Sequence, residues 1–181
     1  LANIGSETLC VVVYDNDTPV SIKVFPVGSA DITNTLALSF QIPLTEAESL
    51  KRGGVTQTDI PQKKVQQLVQ ARLKDMFTLV NAHLKSIDRA KLLPAGIVIT
   101  GGGSGLASAA EIARAVLKLP SSLGQIGLMP RSSSIDATWA VAYGLCLWAF
   151  AEDTSVRSSS VGEVFSSAWD SLKHSIRSLL P

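Results

Sequence analysis

The sequence predicts an α/β domain of three layers, and two observations carry that prediction. The stretch AGIVITGGGSGL, residues 95–106, runs a short apolar strand into consecutive glycines and then into the start of a helix. The rest of the first 150 residues alternates between segments of strand character and segments with helical periodicity, which is the mixed order of a sheet covered by helices.

Taken in order, LCVVVYDNDTPVSIKVFPVG holds two β-rich runs joined by a turn at Asp15, Asn16, Asp17 and Pro19, a hairpin by composition. DITNTLALSFQ then sets Ile32, Leu36 and Phe40 on one helical stripe, and Pro43 breaks it. Thr45 followed by Glu48 has the spacing of a capping box at the start of a second helix, which Gly53 and Gly54 stop. Pro61 precedes a long helix with Val65, Leu68, Val69, Met76, Val80, Leu84 and Ile87 at helical spacing. Strand AGIVIT, the glycine loop and helix LASAAEIARAVLKL follow, then a connection through Pro120 and Pro130. The last core element is expected from Ala137 to Phe150, capped by Asp136.

Composition narrows the function classes. The 181 residues are 46% hydrophobic and 17% charged, an ordinary globular balance outside the disordered class. Sixteen basic residues against fifteen acidic ones leave a net charge of +1. No basic stripe accompanies it, so nucleic acid is not an expected partner. Cys10 and Cys146 both sit in apolar segments that read as buried, which points to a reducing cytoplasm without a disulfide framework. Neither cysteine, nor His83 and His174, has metal-like spacing, so no metal site and no catalytic centre is expected from them. No secretory leader is visible, and no apolar run is long enough to span a bilayer. The chain opens without methionine inside an apparent motif and reads as a piece of a longer protein.

Glycine has the most backbone freedom to lose, so Gly101, Gly102 and Gly103 need a reason. One is a phosphate or nucleotide approaching bare amides at a helix N-terminus. The other is a tight strand-to-helix turn that binds nothing. The loop is neither a Walker loop, since no Lys-Ser/Thr follows, nor a good dinucleotide fingerprint.

Three ordered stretches are more specific together. Residues 3–33, NIGSETLCVVVYDNDTPVSIKVFPVGSADIT, then TEAESLKR, then VITGGGSGL resemble the second half of an actin-like (ribonuclease H-like) nucleotide-binding fold. Within it they resemble the FtsA family of bacterial cell-division proteins, over most of residues 1–150. The resemblance implies ATP as the ligand. Gly5, Ser6 and Thr8 would face its phosphates, Glu48, Lys51 and Arg52 would line the nucleoside, and Gly101, Gly102 and Gly103 would pack beneath it. The plainer readings are a capping box for Glu48 and a solvated last turn for Lys51 and Arg52. The resemblance also implies self-association into filaments, a place at the cytoplasmic face of the inner membrane at the division site, and the C-terminal peptide of FtsZ as partner. Arg72, in the Ala-Arg-Leu motif of the long helix, would pair with that acidic peptide or else be solvated surface.

The match departs from the family pattern in two places. The phosphate hairpin reads Asn3-Ile4-Gly5-Ser6-Glu7-Thr8, with a neutral Asn3 where the family has a carboxylate that helps hold Mg²⁺, and with a negative Glu7 beside the phosphates. That argues against ATP hydrolysis and leaves one wall of a pocket, since the first half of the fold is absent. Between Gly54 and Pro61 only VTQTDI stands where the family carries a longer insertion. The competing readings within the superfamily are an ATPase and a scaffold of pilus assembly resembling PilM.

Beyond Phe150 the run AEDTSVRSSSV, residues 151–161, reads as a serine-rich linker. Residues 162–181 then place Phe165, Ala168, Trp169, Leu172, Ile176, Leu179 and Leu180 within an arc of roughly 120°, flanked by Lys173 and Arg177. This is the pattern of an amphipathic helix lying in a membrane surface, or of a helix docked on its own domain or a partner. The FtsA resemblance favours the membrane.

Overall fold

In the computed structural model, residues 1–54, 60–124 and 137–156 are described, the last six as backbone. They fall into two units, Leu1–Ala140 and Val141 onward.

The first unit is built on a mixed sheet. β1 (Ala2–Ile4), β2 (Leu9–Asp15) and β3 (Thr18–Phe25) form an antiparallel meander, β4 (Ile97–Thr100) lies parallel to β1, and β5 (Ser121–Leu123) lies parallel to β4. The strand order is β3-β2-β1-β4-β5. Asn16 and Asp17, at φ 47° and 62°, make the two-residue turn of the β2–β3 hairpin. Positive φ at both positions gives the turn a twist that matches the strands, and Asn and Asp tolerate it. Pro19 is accommodated because β3 is an edge strand, beside an irregularity at Val13/Tyr14. The strand β5 was not expected. Its Ser-Ser-Leu sequence has no apolar pattern, and it exists because the free side of β4 offers backbone groups: the amide of Ile97 donates to the carbonyl of Pro120, and that of Gly124 to Ile99.

Between β3 and β4 run α1 (Ser29–Phe40), α2 (Leu44–Lys51) and α3 (Gln62–Ser86), and α4 (Ala109–Leu117) follows β4. The periodicity of α3 is realised: Val65, Val69, Met76, Val80 and Leu84 are buried, joined by Leu73 and Phe77, while Leu68 and Ile87 pack at the margin. These side chains meet Leu9, Val11 and Val13 of β2, Ile97 and Ile99 of β4, and Ile32 and Leu36 of α1 in one core. Burying each large aliphatic or aromatic chain contributes about 1.5–3 kcal/mol, and the core is the main source of cohesion.

The second helix begins at Leu44, with Pro43 rather than Thr45 at its cap, so the expected capping box is not formed. Pro43 fixes φ for the helix start, and no side chain caps it. The glycine loop enters a short 3₁₀ turn, Gly102–Gly105, so α4 starts at Ala109, three residues later than the apolar pattern suggests.

In the second unit, α5 (Ala140–Val156) follows a 3₁₀ turn at Ala137–Trp139 and continues through Val156, into the segment expected to be linker. Leu145, Leu147, Trp148 and Phe150 are exposed on it. Cys146 is exposed too, contrary to the expectation of burial. No helix among the described residues is long and apolar enough to cross a membrane. Residues 55–59, Asp136 and the serine-rich and amphipathic stretches from 157 to 181 lie outside the described residues.

Candidate functional site

Neighbouring parallel strands end at the same edge of a sheet, so the loops that leave them converge, and ligands of α/β sheets bind in that position. β1 and β4 are such a pair, with Ala2 opposite Ile99 and Asn3 opposite Thr100. The Gly5–Thr8 turn and the Gly101–Gly105 loop therefore leave the sheet side by side.

The three consecutive glycines have different reasons. Gly101 sits at φ 88°, and a Cβ there would strike Asn3 Oδ1 and the carbonyl of Ile4. A Cβ on Gly103 would enter the Ile4 side chain. Both are needed so that the loop can lie on the end of β1. Gly102 has no such neighbour, since the closest atom to its Cβ would be Thr138 Oγ1 at 3.9 Å. The loop is tied to the turn before α5: the Gly101 amide (3.2 Å) and the Thr100 hydroxyl (3.3 Å) both donate to the Ala137 carbonyl. The Ser104 hydroxyl closes the loop by donating to the carbonyl of Gly101 at 2.7 Å.

The first turn is closed by the Gly5 amide donating to the Thr8 carbonyl at 2.8 Å. The carbonyls of Gly5 and Ser6 then accept the Ser29 and Ala30 amides at 2.9 and 2.8 Å, which seats the N-terminus of α1 on the turn. Gly28 comes so close to the Ser6 and Glu7 backbone that a side chain would not fit. Ser6, Glu7 and Thr8 stay exposed.

A polar cluster locks α2 onto α1. Lys51, only 6% exposed, donates from Nζ to the Ser29 carbonyl (3.1 Å) and the Thr33 hydroxyl (2.9 Å), and pairs with Glu48 at 2.6 Å. Thr33 donates to Glu48 at 2.6 Å, and Arg52 Nε, on a side chain 77% exposed, pairs with its other oxygen at 2.9 Å. Partial burial alone would raise the Glu48 pKa. The hydrogen bonds from Lys51, Thr33 and Arg52 outweigh it and bring the carboxyl down to about 2.

Gly5, Ser6, Thr8, Gly101, Gly102 and Gly103 are thus brought to one edge of the sheet, and Glu48 and Lys51 reach it through Ser29, the first residue of α1. Arg72 is not part of this group: half-exposed on α3, it donates to Thr35 Oγ1 at 2.9 Å and faces Asp75 at 3.5 Å. The expected membrane-facing residues, Phe165, Trp169, Leu172, Ile176, Leu179 and Leu180, lie outside the described residues. Sequence reasoning missed Gly28, Ser29, Thr33, Ala137 and Thr138. A glycine and serine directly after β3 were the available signal for the first two, whereas nothing local marks the others. A cavity of about 550 Å³ lies at the opposite strand ends, between Tyr14, Leu92, Pro94 and Val98, where Asp15 and Arg89 pair with each other at 2.9 Å.

The site does not fit a protein-held Mg²⁺. Such a cation takes carboxylate oxygens in octahedral geometry. Asp31 here accepts the Gly28 amide at 2.8 Å, Glu48 is committed to Lys51 and Arg52, and β1 carries a carboxamide, Asn3, opposite Thr100. Among the described residues no three His, Cys, Asp or Glu gather as a metal-binding group. Bare glycine backbone at a helix-flanked sheet edge does fit an anionic ligand such as a nucleotide.

Two outcomes test this geometry in the 181-residue chain. Gly103→Ala should cost about 1–3 kcal/mol in urea denaturation through overlap with Ile4, while Gly102→Ala should stay within about 0.5 kcal/mol. Equal costs would show that the loop does not rest on β1. Folding lowers the Glu48 pKa from 4.5 to about 2, so protonation favours the unfolded chain. The stability gap between wild type and Glu48→Gln should be full above about pH 4.5 and should close as pH falls toward 2. A gap independent of pH would remove the carboxylate's role.

Comparison with known proteins places this chain in a family. Cell division protein FtsA of Pseudomonas aeruginosa is 27% identical over 145 residues, covering 68% of this chain and 35% of that protein. That of Neisseria meningitidis serogroup B is 29% identical over 140 residues, covering 65% and 34%. The chain spans about a third of the length of the curated relatives it matches. Among solved structures, MreB5 of Spiroplasma citri bound to AMPPNP superposes with a TM-score of 0.70, over 86% of this chain and 53% of that chain, at 13% identity. The PilM–PilN type IV pilus biogenesis complex gives 0.66 over 81% and 44%, at 24% identity. These likenesses show the actin-like fold. Residues 1–144 match the family described as cell division protein FtsA, and the chain is a member of that family.

Proposed function

We propose that this chain forms the second half of an actin-like adaptor of bacterial cell division, which binds ATP together with a first half, self-associates into filaments and tethers FtsZ to the inner membrane. The observation that carries the nucleotide part is the convergence of the Gly5–Thr8 turn, the α1 N-terminus and the Gly101–Gly105 loop at the C-terminal ends of β1 and β4. MreB5, a neighbour in fold, binds AMPPNP and ADP. In this reading Gly5, Ser6 and Thr8 face the phosphates, exposed Arg52 lines the nucleoside with Glu48 and Lys51 behind it, and the glycine loop is the floor. With no carboxylate at the end of β1, the nucleotide sets conformation or assembly rather than serving as a substrate. FtsA membership supports the adaptor role over a pilus scaffold or an ATPase.

Membrane attachment falls to residues 162–181. A single short helix with little positive charge binds weakly, so assembly into filaments gives the avidity that one copy lacks. The chain should co-sediment with anionic lipid vesicles and lose that binding when residues 162–181 are removed. No binding of either form would make the terminal segment a packing element. For the partner, the Arg72 guanidinium, held by Thr35 with only a distant Asp75, is available to an acidic peptide. Arg72→Glu should weaken binding of the FtsZ C-terminal peptide at least fivefold in fluorescence anisotropy, and unchanged affinity would remove Arg72 from the interface.

A further inference from the structure

β3 lies at the edge of the sheet, and among the described residues no backbone hydrogen bond reaches it from the side away from β2. Which of its groups face that open side follows from β1. The Leu1 amine and carbonyl bond to the Val12 carbonyl and amide at 2.8 and 2.9 Å, so both Val12 groups point away from β3. Ile22 stands opposite Val12, and in an antiparallel ladder the partner of such a residue also turns its amide and carbonyl outward. Val24, two residues on, does the same. The side chains of Val20, Ile22 and Val24 are exposed as well. The other face of the strand is held down by α3, where Ser21 Oγ and His83 Nε2 share a hydrogen bond of 2.9 Å and Phe25 stands edge-on to the His83 ring. Open backbone groups beside β-branched apolar side chains are a template for a further strand.

The strand is complementary to itself. A two-fold axis at Ile22 sets Ile22 against Ile22 of a second copy, where the two exchange both backbone bonds, and sets Val20 against Val24, with Ser21 opposite Lys23. An axis at Lys23 would put like charges face to face. One at Val24 would oppose Ile22 with Pro26, which has no amide to donate. One at Ser21 would carry the pairing past Val20, the extra residue of a bulge, since Val13 faces Ser21 while Tyr14 faces Pro19. We propose that β3 pairs antiparallel with β3 of a second copy about an axis at Ile22, which joins the two sheets into one. Such a contact is isologous and closes on itself, so it links two chains side by side and does not propagate a filament. It is independent of the nucleotide reading above.

The test is sedimentation equilibrium of the 181-residue chain, joined by cross-linking in a chain whose Cys10 and Cys146 are replaced by serine. Wild type is expected to show a monomer–dimer equilibrium. Ile22→Lys should weaken it at least tenfold, because it sets two charges opposite each other at a position that is 65% exposed and therefore tolerated by the fold. Ile22→Cys should form an interchain disulfide, since facing bonded residues stand about 5.5 Å apart at Cα, within disulfide reach. Val24→Cys should cross-link at least tenfold more slowly, because an offset of four residues holds it roughly 13 Å from its copy. Wild type that stays monomeric at millimolar concentration would overturn the proposal by itself, whatever the variants do. A dimer untouched by Ile22→Lys would overturn it by placing the contact elsewhere, and equal cross-linking of the two cysteine variants would overturn it by removing the register.

Discussion

The pairing of β1 with β4 is the constraint on which the rest of the structure depends. β1 is only three residues long, yet among the described residues it is the strand that joins the antiparallel hairpin to the parallel half of the sheet. Ala2 and Ile4 are fully buried on the core side, and Ile4 also receives the glycine loop. Because the pairing is parallel, both strands end at the same edge, and two loops separated by some ninety residues in sequence become neighbours. An antiparallel pairing would have sent them to opposite ends of the sheet.

A second consequence concerns α1. Its first amides carry unsatisfied donors and a partial positive charge. The carbonyls of Gly5 and Ser6 take up two of those donors, so the helix is positioned by the loop itself and not by a side-chain cap. The helix then positions α2 through Lys51, whose ammonium is nearly excluded from water and is therefore surrounded by the Glu48 carboxylate, the Thr33 hydroxyl and the Ser29 carbonyl. A buried charge is tolerated only when its partners are complete, and here they are. The cluster links α2 back to the same edge of the sheet.

The site that results is made mostly of backbone. Its glycines serve two purposes: Gly101 and Gly103 permit contact within the protein, whereas Gly102 leaves space. That division answers why three glycines follow β4.

Much of the architecture was legible in the amino-acid order. The long helix α3 announced itself by periodicity, since a buried stripe requires apolar residues every three to four positions. The β2–β3 hairpin followed from Asn16 and Asp17, residues suited to positive φ. The ordered glycine and Glu-x-x-Lys-Arg motifs led to the fold family. Tertiary structure alone decided the rest. β5 carries no local signal and is a strand because β4 had an open side. Glu48 had Thr45 as its apparent partner at capping distance, but it bonds Thr33, fifteen residues back, along with Lys51 and Arg52. Periodicity and turn chemistry are local, so the sequence displays them; hydrogen bonds act over about 3 Å, and which groups come that close is settled only when the elements pack.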